Sequence, residues 1–187
     1  MHLHAKALVV ALCIVSASVA HATDSIAMQF SIGRGVGEVR VRYEPIEVIQ
    51  GGTSDGRYSR GFLRFRWAGS TAQLQSIQSM VMLYEPKFEI WDVNGDGFND
   101  VVFYNQYAGY GGAPTRGAHV LIYAPQLKRF VPSVTLSDRG ELSPAKARGC
   151  VLVEFKSGPT GYTTEEWCFN LRKGLWTLVR SEGGEAE

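Results

Sequence analysis

The sequence predicts an all-β chain, a single domain built as a degenerate propeller-like or sandwich array of short antiparallel strands. Three observations carry that prediction. Segments such as Ala27–Ile32, Glu38–Tyr43 and Gly61–Trp67 alternate side-chain character with period two, the mark of half-buried strands. Clusters of Gly, Pro, Asn, Asp and Ser punctuate them at short intervals. Residues 23–187 suffice for one core, but not for a propeller of several blades, and no clean repeat of roughly 40–50 residues is visible.

The chain opens on a leader. Lys6 supplies a positive start, Ala7–Ala20 is apolar but too short to span a bilayer, and Ala20-His21-Ala22 is an A-x-A cleavage site. Residues 1–22 are therefore read as a signal peptide; a retained anchor is the alternative. Cys13 lies inside the apolar stretch without a lipobox. Losing Lys6 with the leader brings nineteen Lys and Arg down to eighteen, equal to the eighteen Asp and Glu. A neutral chain lacks the positive field that phosphate binding needs, so no nucleic-acid partner is expected. No later apolar run is long enough for a transmembrane helix, so no membrane partner is expected after cleavage.

The domain begins with the three alternating strands above. Arg40/Arg42 and Arg64/Arg66 fall on one side of theirs, as a solvated face or as a surface for an acidic partner. Gly51–Gly56 is a turn cluster. Gln73–Tyr84 carries both helical and strand spacings and is read as a strand. Further strands follow at Phe88–Trp91, Val101–Tyr104, His119–Ala124, Arg129–Pro132 and Leu175–Arg180. A short helical turn is expected over Ser143–Arg148 and a frayed tail over Ser181–Glu187.

Between two of these strands lies the strongest chemical signal. Asp92, Asn94, Asp96 and Asp100 occupy positions 1, 3, 5 and 9 of a loop. Gly97 takes the sharp-turn position, and Phe98 can offer its backbone carbonyl. Three carboxylates and an amide in so short a span repel one another without a cation. Ca²⁺ accepts six to eight hard oxygens at about 2.3–2.6 Å and suits the set better than Zn²⁺ or Mg²⁺. Position 12 is Phe103 and both flanks are strand-like, which excludes an EF-hand. A structural calcium loop over 92–100 is expected; the alternative is a metal-free Asx turn.

Cys150 and Cys168 remain after the leader. If Ser157–Gly161 turns a hairpin between Cys150–Lys156 and Tyr162–Leu171, Lys156 opposes Tyr162. Counting back along both strands then sets Cys150 opposite Cys168. A cross-strand disulfide is expected, favoured by export. Zinc lacks partners, since His119 is the one histidine beyond the leader.

Two connections carry binding-type residues. Asn105–Gly117 is long for a hairpin and combines four glycines with Tyr107, Tyr110 and Arg116. Ser157-Gly158-Pro159-Thr160-Gly161-Tyr162 is a hairpin tip that disulfide and proline would pre-organise. Each reads equally as a plain surface turn.

The loop Asp92–Asp100 resembles the FG-GAP calcium repeat of integrin-type β-propellers. With the Gly-rich Tyr loop, His119–Tyr123, Phe130-Val131 and Ser157–Glu165, residues 74–180 resemble a family of bacterial periplasmic proteins of degenerate propeller-like fold. Its members are calcium-binding immunity proteins that inhibit lysozyme-like cell-wall hydrolases delivered by antibacterial type IV secretion. The tip is also similar to the Ser-Gly-x-x-Tyr signature of periplasmic lysozyme inhibitors, with one extra residue between Gly158 and Tyr162.

The resemblance implies a periplasmic immunity protein that blocks the active-site cleft of a lysozyme-like peptidoglycan hydrolase. Ser157, Gly158 and Tyr162 would enter the cleft. Arg116 would meet a catalytic carboxylate, and Tyr107 and Tyr110 would pack in sugar subsites. Other classes fit the same loops: a carbohydrate- or peptidoglycan-binding module, or a calcium-dependent adhesion protein. An enzyme is not expected. No G-x-S-x-G motif occurs, and Glu165 and Glu166, adjacent on a strand, face opposite ways.

Overall fold

The computed structural model describes residues 26–50, 57–69, 74–82, 87–108, 114–158 and 161–185. The expected leader, 1–22, lies outside them. The described residues form twelve strands and no helix. They build three four-stranded antiparallel sheets, each a meander of consecutive strands. The N-terminal sheet comprises β1 (Ala27–Ser31), β2 (Glu38–Gln50), β3 (Arg57–Trp67) and β4 (Leu74–Met82). The middle sheet comprises β5 (Lys87–Trp91), β6 (Asp100–Ala108), β7 (Pro114–Ala124) and β8 (Arg129–Pro132). The C-terminal sheet comprises β9 (Glu141–Pro144), β10 (Cys150–Lys156), β11 (Gly161–Asn170) and β12 (Leu175–Glu185).

The middle sheet is the filling of the stack. Val101 and Phe103 of β6, with Leu121 and Tyr123 of β7, join Val41, Leu63 and Phe65 of the N-terminal sheet in one cluster. Val102, Tyr104 and Val120 point the other way, into a second cluster with Leu142, Val151 and Val153 of the C-terminal sheet. A strand buried on both faces cannot alternate, which is why Val101–Tyr104 reads as an unbroken apolar run. Burial of a side chain such as Phe103, wholly inaccessible, stabilises by about 1.5–3 kcal/mol. Gln75 ties the edge strands β4 and β8 together, its amide bonding the backbone N–H and C=O of Phe130. On the other side Tyr104 donates its hydroxyl to the Leu142 carbonyl at 2.8 Å.

The all-β single domain is as expected, and Gln73–Tyr84 contains the strand β4. Three boundaries differ. Strands β6 and β7 run into the predicted long loop, pairing Gln106 with Arg116 and Tyr107 with Thr115. Glu141–Pro144 is a strand paired to β10, and a turn replaces the helical turn expected at Ser143–Arg148. The predicted frayed tail is strand up to Glu185, because β11 offers its backbone as far as Gly161. The missing repeat is also present in the backbone, where the same four-strand meander occurs three times.

Candidate functional site

The loop between β5 and β6 is knit by its own donors. Gly97 N–H donates to Asp92 Oδ2, Asp96 N–H to Asn94 Oδ1 and Phe98 N–H to Asp96 Oδ1. Asn94 Nδ2 donates to Asp96 Oδ2 at 3.0 Å. Gly95 and Gly97 take φ of 75° and 90°, angles that few side-chain-bearing residues adopt. Asp100 closes the loop from inside. It is 0% exposed, with Val93 N–H on one carboxylate oxygen and Tyr123 N–H, from β7, on the other. Burial pushes its pKa up to about 8; the two backbone N–H groups pull it down, and the charges of Asp96 and Asp92 add to the rise.

The equivalent connection of each neighbouring sheet meets this loop. From the end of β1 and the turn after it, the Ser31 carbonyl accepts Asn99 Nδ2 and the Ile32 carbonyl accepts Asn99 N–H. Arg34 lies against Gly97 and over the Phe98 ring, 5.1 Å from its centroid. From the β9–β10 turn, Gly149 abuts Gly95 so closely that a Cβ on Gly95 would stand 2.8 Å from the Gly149 Cα. Arg148 reaches Asp92 at 3.6 Å. The first-to-second-strand connections of the two neighbouring sheets thus converge on this acidic loop, which is the equivalent connection of the middle sheet. Arg34 and Arg148 are the contributors that sequence reasoning missed. The Gly33-Arg34-Gly35 and Arg148-Gly149 pairings hint at tight turns, but nothing local says where those turns dock.

The donor set suits a hard divalent cation. Asp92 Oδ1 is buried with no hydrogen-bond partner, an arrangement that costs stability unless a cation or water answers it. Asn94 is likewise buried. Asp92, Asn94, Asp96, Asp100 and the Phe98 carbonyl are the groups available to hold one. The Asp carboxylates are not drawn together around a common point. Among the described residues, three His, Cys, Asp or Glu ligand atoms lie within 4.8 Å of one another only at Cys150, Glu166 and Cys168. Cys150 and Cys168 are joined as a disulfide and cannot serve as thiolate ligands there.

The second candidate region is the β10–β11 hairpin. Lys156 pairs with Tyr162 and Cys150 with Cys168, the register the sequence predicts, and the disulfide is formed. Ser157 N–H donates to the Gly161 carbonyl at 3.0 Å and closes the turn. Side chains opposed across a ladder share a face. Val151, Val153 and Trp167 face the middle sheet, so Cys150, Cys168 and Tyr162 lie on the outer face of the stack. Tyr162 is 50% exposed, and Ser157 is exposed beside it. Pro159 and Thr160 lie outside the described residues.

Other predicted site residues fall differently. Tyr107 and Arg116 belong to β6 and β7, and Tyr110 lies outside the described residues. Glu165 and Glu166 do face opposite ways: Glu165 accepts Trp167 Nε1 and Arg139, whereas Glu166 pairs with Arg180.

No family model matches the chain, and no curated protein matches its sequence. A solved structure described as a Xanthomonas type IV secretion system related protein shares the fold, with a TM-score of 0.56 and 14% identity. The superposition covers 85% of this chain and 82% of that one. At that identity the likeness is one of fold.

Proposed function

We propose that this chain is an exported immunity protein that binds a lysozyme-like peptidoglycan hydrolase and blocks its active-site cleft. The observation that carries the reading is the hairpin tip. It closes a strand pair that the Cys150–Cys168 disulfide clamps at the far end, and it carries an exposed Ser157 and a half-exposed Tyr162. A strand pair held in register by a disulfide loses little entropy on binding, and an aromatic hydroxyl suits a sugar-binding cleft. The fold likeness to a type IV secretion system related protein supports the setting. The protein acts by occlusion and performs no chemistry of its own. Calcium held by Asp92, Asn94, Asp96, Phe98 and Asp100 braces the scaffold without taking part in contact.

The test is hydrolysis of peptidoglycan by a panel of lysozyme-type enzymes with stoichiometric amounts of this protein, calcium present and disulfide formed. Inhibition of one enzyme near a one-to-one ratio is expected, weakened at least tenfold by Tyr162→Ala, about what one good anchor contributes. Absence of inhibition across the panel, with binding to isolated sacculi, would replace this reading with a glycan-binding module.

A further inference from the structure

The outer face of the N-terminal sheet, on the opposite side of the stack from the hairpin tip, carries four arginines in a grid. Arg40 opposes Arg66 and Arg42 opposes Arg64 across the β2–β3 ladder. Like charges set directly opposite destabilise a sheet, so two such rows in succession need an account.

The rows are answered unequally. Glu44 lies between Arg42 and Arg64 and pairs with both, Arg64 Nε standing 2.8 Å from its carboxylate. Arg40 and Arg66, both exposed, make no ion pair or hydrogen bond among the described residues. Glu38 lies two residues before Arg40 on the same face, as Glu44 lies two after Arg42, yet its carboxylate takes the Gln29 amide at 2.7 Å instead. The unanswered row opens on a depression of about 600 Å³ shared with Gln29, Glu38 and Trp67. Trp67 Nε1 is buried without a partner.

We propose that the Arg40–Arg66 row binds a carboxylate side chain of a protein partner, in the manner in which Glu44 occupies the neighbouring row. The guanidinium fork matches a planar carboxylate, and no lysine accompanies it on these strands. A recess admits a projecting Asp or Glu, whereas a flat anionic membrane would meet Glu38 and Glu44 on the same face. A nucleic-acid surface would need a larger uniform positive field than this face offers. The site lies apart from the hairpin and does not depend on the inhibitor reading.

The test is a titration of the purified protein with a blocked hexaglutamate peptide, followed at the arginine Nε–H resonances by NMR. Arg40 and Arg66 should shift and saturate, and Arg40→Gln with Arg66→Gln should weaken binding about tenfold or more. That variant should keep or raise Tm, since it removes a like-charge pair. Glu44→Gln should recruit Arg42 and Arg64 to the response. The proposal is overturned by no saturable shift at millimolar peptide, by unchanged binding in the double variant, or by a fall in that variant's Tm. Phosphatidylglycerol vesicles binding through the same arginines, with the peptide inert, would reassign the row to a membrane surface and overturn it too.

Discussion

Two connections of similar composition, the β5–β6 loop and the β10–β11 hairpin, sit in opposite surroundings in this molecule. Both are rich in Gly with Asp, Asn, Ser or Thr. The first turns inward: its carboxylates accept backbone N–H groups of the loop, and its outer atoms are met by turns of both neighbouring sheets. The second is flanked by a half-exposed tyrosine and a strand ladder that the Cys150–Cys168 disulfide crosses. What separates the two connections is where their polar groups find partners. Composition alone does not.

Removal of Asp100 should have the largest effect on that contrast. Asp100→Ala leaves the buried N–H groups of Val93 and Tyr123 unpaired, costing on the order of 4 kcal/mol by denaturant unfolding. A cost below 1 kcal/mol would mean that the inward loop does not hold the fold.

The same carboxyl gives a pH signature. Its folded pKa, raised to about 8, exceeds the ordinary unfolded value near 4, so the folded state holds the proton more tightly. Without calcium, stability should fall as pH rises through that window. Saturating calcium, by favouring the ionised form, should raise Tm more at pH 8 than at pH 5. A calcium-independent Tm at both pH values would leave the loop as a metal-free Asx turn.

Next in size is the hairpin's support. Replacing Cys150 and Cys168 by alanine should cost about 3 kcal/mol and loosen the tip, read as a lower Tm and faster amide exchange at Ser157 and Gly161. Unchanged exchange would show that the turn is ordered by its ladder alone. The smallest effect on stability belongs to Tyr162→Ala, about 0.5 kcal/mol or less at a half-exposed site. A larger loss would make the tip a structural element like its inward counterpart.

Much of this was legible in the chain because it is local. The hairpin register follows from two cysteines equidistant from a turn, and the loop follows from oxygen spacing. The extensions of β6, β7 and β12 were not legible, since Gln106–Arg116 and Thr163–Gly183 pair through backbone groups that carry no apolar pattern. Nor was the convergence of turns, because Gly95 meets Gly149 across fifty-odd residues of intervening chain. One partner of Asp100, Tyr123 N–H, is also distant in the sequence, on β7.

The meander repeated in each sheet bears on how the chain reaches its native state. Strand pairing joins sequence neighbours throughout, so each sheet can assemble through local contacts with little loop-closure entropy to overcome. The long-range step that remains is docking three preformed ribbons, and the β5–β6 loop is where contacts from all three are made at once. A cation that rigidifies this loop would therefore act on the rate of assembly, organising a late encounter and leaving the early hairpins untouched.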